Sequence, residues 1–177
     1  MNATSQPGSA IPADDPNRKL TVSDSDSDKL PHISVAGDTY TMLVTGAETN
    51  GRYCLIDMHI PPNGGPPPHR HDFEENFTVL EGELEFTFRG EPQVVKAPAS
   101  VNIPANAPHA FKNKSSQPAR MLCICAPAGQ EEFFMAVGDP VDSRTAPPPQ
   151  LSTEEQQERQ QKAERLAPNY NTEILRP

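Results

Sequence analysis

The sequence has few apolar residues for its length. Only 34% of the 177 residues are hydrophobic and none is tryptophan, whereas 21 are proline, a share of about 12% against about 5% in an average protein. No run approaches the roughly 18 consecutive apolar residues that a membrane-spanning helix requires, so we expect no membrane partner. Because so few apolar residues cannot form a core along the whole chain, we predict one compact domain with poorly packed ends.

Basic residues are scarce as well. Lys and Arg number 15 against 24 Asp and Glu, which gives a formal net charge of −9 at pH 7. A negative field repels phosphate backbones and no basic run interrupts it, so we expect no nucleic-acid partner. Residues 1–20 lack the apolar core of a secretory signal, and an odd number of cysteines, 3, does not form a closed disulfide framework. We therefore predict a cytoplasmic protein.

Composition divides the chain into three parts. Residues 1–30 are rich in Ser, Asp and Pro, so we predict a disordered tail. Residues 31–138 contain short alternating runs separated by Gly, Pro and Asn, and eight or more such strands indicate an antiparallel sandwich or barrel. Residues 139–177 are a Pro-rich linker followed by a helix over 153–166, because Ser152 and Glu155 form a capping box.

Three details of the strand region affect later interpretation. Asn50-Gly51 predicts a hairpin between strands 38–45 and 52–60. Cys123 and Cys125 alternate with apolar residues, so we interpret them as small buried residues on one face of a strand, with a redox or metal role as the alternative. His32 and His59 match no motif, and we expect both at the surface.

The segment after the strands predicts packing between elements. Residues 130–137 have the spacing of one or two helical turns, with Phe133, Phe134 and Val137 facing the barrel. The helix over 153–166 has a thin apolar stripe, essentially Ala163 and Leu166. A second subunit that covers this stripe would explain why it is so thin, and it would also cover the apolar outer faces of a small barrel. We therefore predict a homodimer.

Candidate metal ligands lie between residues 64 and 113. His69 and His71 stand at i and i+2, which places both imidazoles on one face of a strand with Cα atoms about 7 Å apart. Glu75 has the same phase if that strand continues, whereas its rival Glu74 has the wrong phase and Asp72 lies close to the turn. With His109 from another strand, three imidazoles and a carboxylate suit one divalent ion of Fe, Mn, Ni, Co, Cu or Zn, with one or two open positions.

These residues resemble the two conserved motifs of the cupin superfamily, over about residues 35–128. The first motif is carried by Gly64 and His69-x-His71-x3-Glu75-x6-Gly82, and the second by Pro104-x-Asn106-x2-His109-x3-Asn113. Pro98 and Asn106 stand where glycines are common, and Asn tolerates left-handed backbone geometry. The resemblance implies a small antiparallel jelly-roll β-barrel, all-β with a short C-terminal helical extension. It also implies that His69, His71, Glu75 and His109 are metal ligands.

The chain resembles the single-domain quercetin-dioxygenase-like group in three features: one cupin motif pair, a Glu-Phe-Phe stretch at 132–134 and a C-terminal extension. We therefore expect a metal-dependent dioxygenase-type oxidoreductase acting on an aromatic or enol small molecule, with Glu75 as catalytic base. Strand phases place the expected substrate pocket at Met58, Ile60, Phe77, Val79, Phe86 and Phe111. Two alternatives stay open: a non-redox lyase, isomerase or cyclase using the metal as a Lewis acid, and a non-enzymatic binding protein.

Overall fold

Two facing antiparallel β-sheets form the core of the protein, whose computed structural model describes residues 11–175. The strands of these described residues are β1 (His32–Val35), β2 (Asp38–Val44), β3 (Cys54–Ile60), β4 (His69–His71), β5 (Glu74–Glu81), β6 (Glu83–Phe88), β7 (Glu91–Lys96), β8 (Ala99–Ile103), β9 (His109–Lys112), β10 (Ala119–Ala126), β11 (Asp139–Pro140) and β12 (Thr172–Ile174). One sheet has the order β11-β1-β2-β3-β10-β5-β8, and the other has the order β12-β4-β9-β6-β7. The predicted all-β jelly-roll is therefore confirmed.

Three α-helices connect or flank the strands of the described chain: α1 (Gly46–Thr49), α2 (Gln130–Val137) and α3 (Thr153–Leu166). α3 begins after Ser152, whose hydroxyl accepts from the Glu155 backbone N–H while the Glu155 carboxylate accepts from the Ser152 N–H. This is the predicted capping box. Phe133, Phe134 and Val137 of α2 are buried against the barrel, also as predicted.

The predicted strand pair is confirmed, because β2 and β3 pair antiparallel, but the predicted tight turn at Asn50-Gly51 is wrong. β2 ends at Val44 and the one-turn helix α1 fills the connection to β3. Thr45 and Glu48 form a capping box that starts this helix, and Asn50 ends it in a left-handed conformation with φ of 54°. The Thr-x-x-Glu pattern was therefore the stronger local signal.

Beyond residue 138 the structure has the predicted linker and helix, α3, but it also contributes two strands to the barrel, so the barrel extends past the predicted boundary. β11 pairs with β1 in the larger sheet, and β12 pairs with β4 in the smaller one. Ala163 and Leu166 of α3 pack against the core of their own chain. The thin stripe therefore needs no second subunit to cover it, and the homodimer stays a prediction that depends on the outer sheet faces.

Residues 11–30 contain no helix or strand, but their last part contacts the barrel. Ser23 donates to the Leu43 carbonyl oxygen over 2.5 Å, and Ser25 accepts from Arg120 over 3.3 Å. His32, expected at the surface, is buried and hydrogen-bonds Thr41, because β1 places it beside β2. The tail prediction for residues 1–10 lies outside the described residues. Within the described part of the chain, no helix has the length and apolar character to cross a membrane.

Candidate metal centre

Strands from both sheets bring the four candidate ligands together. β4 carries His69 and His71, and its neighbour β9 carries His109, which is the register partner of His69. Glu75 lies on β5 in the facing sheet. The strand of His71 does not continue to Glu75, as the shared phase would have required, because β4 ends at His71 and the chain crosses to the other sheet. The site therefore bridges the two sheets.

The ligand atoms of these four residues all lie within 4.8 Å of one another. The Oε2 atom of Glu75 is 3.0 Å from Nε2 of His71 and 3.1 Å from Nε2 of His109. Two atoms that each lie about 2.0–2.2 Å from one cation are about 3 Å apart when they subtend a right angle there. The spacing fits adjacent ligands of a first-row divalent ion.

Backbone carbonyls determine which imidazole nitrogen faces the centre. Each Nδ1 atom contacts a carbonyl oxygen two residues away, and only an N–H can donate to it. These contacts are His69 to Pro67 at 3.0 Å, His71 to Phe73 at 3.0 Å and His109 to Ala107 at 2.9 Å. The Nδ1–H tautomer leaves Nε2 with a lone pair, which is the form of histidine that binds metals.

The donor set calls for positive charge at its centre. A neutral imidazole has one N–H, yet His71 and His109 each face two acceptors, a carbonyl and the Glu75 carboxylate. Extra protons on both rings, or one cation bound by all of them, would satisfy this arrangement. Burial, reinforced by the neighbouring His109, lowers the pKa of His69 to about 4, so that this imidazole is neutral at pH 7 and able to ligate. These residues therefore fit a divalent metal ion.

Glu75 is ionised in this environment. Burial alone would raise the pKa of its carboxyl, but the hydrogen bonds with His109 and His71 outweigh burial and hold the pKa well below its usual range. The neighbouring carboxylates lie outside the cluster, because Asp72 accepts from the Asn106 side chain and Glu74 accepts from the Ala105 N–H, both at the surface. Glu75 is thus the carboxylate that faces the three imidazoles.

The motif residue Asn106 and two residues close to motif positions, Phe73 and Gly65, have structural roles. Asn106 adopts the left-handed region with φ of 67° and donates its N–H to the His71 carbonyl over 2.7 Å. Phe73 stacks on the His71 ring, with centroids 3.8 Å apart and planes 4° from parallel. Gly65 has φ of +126°, and a Cβ there would collide with the Phe111 carbonyl oxygen. These contacts hold the ligand strands in place.

Two cysteines contact Glu75 on the side away from the histidines. The Cys123 and Cys125 sulfurs lie 3.3 and 3.7 Å from Oε1 of Glu75. Both thiols are free and buried, as the sequence predicted, but their contact with Glu75 depends on strand register that spacing alone does not reveal. Burial is the main reason that the pKa of Cys123 is raised to about 12, so its thiol stays protonated.

A cavity of about 890 Å³ adjoins the cluster, with His69 and Glu75 in its wall. Of the expected pocket residues, Met58, Phe77 and Phe111 line it. The other three, Ile60, Val79 and Phe86, are buried in the core and do not line this cavity. Val79 lies two residues beyond Phe77 on β5, farther from Glu75, and Phe86 packs behind the rings of Phe77 and Phe111 at 5.5 and 5.9 Å.

Aromatic and C-terminal residues complete the cavity wall. Tyr40, Phe133 and Phe134 line it, together with residues of α3 and of the segment that contains β12. The alternating pattern of β2 would have placed Tyr40 inside the barrel, whereas the contribution of β12 depends on tertiary pairing. The cavity wall is therefore mainly apolar, but besides His69 and Glu75 it includes polar side chains of α3 and β12, among them Arg159, Glu164 and Glu173.

Comparison with known proteins agrees with the observed fold. Residues 56–125 match the cupin domain family. The chain therefore contains a cupin domain, and the resemblance inferred from its two motifs is confirmed.

The chain is similar to quercetin 2,3-dioxygenase of Bacillus subtilis, with 27% identity over 131 residues. The match covers 68% of this chain and 39% of that protein, so this chain spans about two fifths of the relative's length. Among solved structures it resembles a predicted oxalate decarboxylase of Thermotoga maritima (TM-score 0.54, 19% identity, 60% of this chain and 98% of the other). It also resembles an RmlC-like cupin of Shewanella frigidimarina (TM-score 0.53, 17% identity, 64% and 99%). At these identities the two structures show the fold alone.

Proposed function

We propose that this chain is a metal-dependent oxygenase acting on a flat aromatic or enol-type small molecule. The observation that carries the proposal is that the candidate ligand cluster opens onto the mainly apolar cavity: His69 and Glu75 lie in its wall together with Phe77 and Phe111. The similarity to quercetin 2,3-dioxygenase supports an oxygenase among the reactions for which this fold is used.

In this proposal His69, His71, Glu75 and His109 hold one divalent ion of Fe, Mn, Ni, Co, Cu or Zn. When bound, such an ion supplies Lewis acidity and, if it is redox-active, a route for electrons to oxygen. Structural zinc sites are closed by four ligands and are typically rich in Cys. A set of three His and one Glu beside a cavity instead favours a site that a substrate can reach.

Glu75 is the proposed proton acceptor. Its carboxylate is ionised, and it lines the cavity as well as the cluster. An ionised carboxylate within reach of an enol or phenol hydroxyl can accept the proton and leave the substrate oxygen negatively charged. The same group is therefore both a proposed ligand and the proposed base.

The cavity wall suits a flat apolar substrate. Phe77 and Phe111 meet edge to face, with centroids 5.6 Å apart, and Tyr40 meets Phe134 in the same way at 4.8 Å. The Tyr40 hydroxyl donates to Asp38 over 3.3 Å, so it is already engaged. Rings held in this way offer faces and edges to an aromatic ligand.

Oxygen uptake tests the proposal. Metal-exchanged protein is mixed with a flavonol, a catechol and a 1,3-dicarbonyl compound in an oxygen electrode and, in parallel, without oxygen. We expect metal-dependent oxygen uptake with at least one of them, lost in His69→Ala and reduced in Glu75→Gln by more than metal content is reduced. Conversion that proceeds equally without oxygen would instead support a lyase, isomerase or cyclase. Binding of these compounds without conversion would support a binding protein.

Two further expectations remain proposals. We place the protein in the cytoplasm, because three free cysteines persist best in a reducing compartment. We also propose a homodimer that buries the outer face of the larger sheet, where Leu80 and Ile124 are 39% exposed each. Sedimentation at micromolar concentration tests the dimer, and a species of 19.3 kDa alone would refute it.

A further inference from the structure

The two thiols beside Glu75 have no part in the function proposed so far, yet they occupy the second side of its carboxylate. Oε2 of Glu75 faces His71 and His109, whereas Oε1 faces Cys123 at 3.3 Å and Cys125 at 3.7 Å. The two sulfurs are 3.6 Å apart. Each carboxylate oxygen therefore has its own set of partners.

Strand register explains this arrangement. β10 lies beside β5, and Cys125 is the register partner of Glu75. Cys123 lies two residues before Cys125 in β10 and therefore on the same face, so the two side chains flank the carboxylate from the neighbouring strand. Both are completely buried, which excludes water from Oε1. In this dry environment the thiols are the donors available to that oxygen.

We propose that Cys123 and Cys125 are positioning residues that orient Glu75 as a one-oxygen metal ligand, an inference that rests on the metal site proposed above. Their S–H groups occupy Oε1 and leave Oε2 directed at the three imidazoles. A thiol is a weak neutral donor, so it fixes the rotation of the carboxylate while leaving the negative charge for the cation. Without the thiols, the carboxylate is free to rotate and Oε1 loses its partners.

Cobalt binding tests this role without any need for catalysis. Co²⁺ affinity is measured by competition with a chelating dye for wild type, Cys123→Ala, Cys125→Ala and Cys123→Ser, and the visible spectrum of each cobalt protein is recorded. We expect Cys123→Ala to bind about 10-fold more weakly, the lower end of the range for groups that orient a ligand, with an altered spectrum. Cys123→Ser, which retains a donor, should bind within a factor of about three of wild type.

Cys54→Ala is the matched control. Cys54 is as fully buried as the other two cysteines and pairs with Cys125 across β3 and β10, but it does not contact Glu75. We expect its cobalt affinity and spectrum to equal those of wild type. Circular dichroism verifies the fold of each variant, and Cys123→Val replaces Cys123→Ala if the smaller side chain prevents folding, since valine fills the space without a donor.

Three results would overturn the proposal. Cys123→Ala and Cys125→Ala with wild-type affinity and spectrum would show that the thiols do not position Glu75, while leaving the metal site intact. A sulfur-to-cobalt charge-transfer band in wild type, lost in Cys123→Ala, would show that the sulfur is itself a ligand. Co²⁺ affinity that is unchanged when His69 and His109 are both replaced by Ala would refute the metal site and, with it, this role.

Discussion

Removal of strand β12 should weaken both the fold and the metal site, because β12 is one of the two neighbours of the ligand strand β4. On its other side, β4 is in register with β9 at one pair, His69 with His109. β12 supplies three pairs: Thr172 with His71, Glu173 with Arg70 and Ile174 with His69. β12 therefore contributes most of the main-chain pairing that holds two of the four candidate ligands.

Backbone hydrogen bonds at the two ends of this pairing determine the expected magnitude. Asp72 N–H donates to the Asn171 carbonyl over 2.9 Å, and Leu175 N–H donates to the Pro68 carbonyl over 2.8 Å. At about 0.5–1.5 kcal/mol each, these two bonds contribute about 2 kcal/mol to the free energy of unfolding, before the ladder between them is counted. For a domain of this size, that loss lowers the melting temperature by about 4–8 °C.

The assay compares the full chain with a chain lacking residues 171–177. We expect a melting temperature at least about 4 °C lower and Co²⁺ affinity about 10-fold weaker, because β4 loses its support. Glu173→Gln is the control: it breaks the Arg70–Glu173 ion pair, whose side chains are 48% and 56% exposed, and should cost less than about 1 kcal/mol with no loss of metal affinity. A truncated chain with unchanged melting temperature and unchanged affinity would refute the reasoning.

Further predictions concern buried charge and the N-terminal tail. Burial raises the pKa of Asp38 from its ordinary 3.8 to about 7, so the folded state keeps a proton that the unfolded chain releases. The free energy of unfolding should fall by up to about 4 kcal/mol as the pH rises through that interval. Asp38→Asn should lack this fall. Urea titrations of both proteins at about pH 4.5 and about pH 8 measure it, and an equal change in the free energy of unfolding between the two pH values in both proteins would contradict the prediction. Arg120→Ala should destabilise the protein by about 3 kcal/mol in chemical denaturation, since it leaves the fully buried Asp57 carboxylate without its 2.6 Å partner. The double variant Asp57→Asn/Arg120→Ala should recover part of that loss. A smaller destabilisation by Arg120→Ala than by the double variant would contradict this explanation. Deletion of residues 1–30 should lower the melting temperature by only a few degrees, because the described part of this tail, residues 11–30, has no helix or strand and contacts the rest of the chain mainly through polar side chains such as Ser23, Ser25 and Asp26. A larger fall would show that the tail belongs to the fold.

Local patterns predicted the elements whose signals are local. β2 and β3 lie within one or two residues of the predicted bounds 38–45 and 52–60, because alternation and flanking turn residues define them. α3 likewise begins where its capping box places it. The turn between β2 and β3 differs from the predicted one because two local signals competed at residues 45–51, and the capping box of α1 prevailed over Asn-Gly.

Features that depend on tertiary pairing could not be predicted. β12 has three residues, too few for a periodic signal, and is a strand because it pairs with β4. β4 is just as short, and its position was predicted from the spacing of His69 and His71 alone. The crossing of Glu75 to the other sheet follows from a chain reversal after His71, which the i to i+4 spacing does not show. The thiol contacts with Glu75 likewise require the register of β10 against β5.

Metal content measured by equilibrium dialysis tests the central claim most directly. Wild type, a Glu75→Gln variant and a His69→Ala/His109→Ala double variant are dialysed against the same Co²⁺ or Zn²⁺ solution, and bound metal and protein are quantified. We predict one ion per chain in wild type and none in the double variant, because it loses two imidazoles that no nearby side chain replaces. Glu75→Gln should show partial occupancy, because its amide oxygen can still ligate. Stoichiometric metal in the double variant would contradict the assignment of the site.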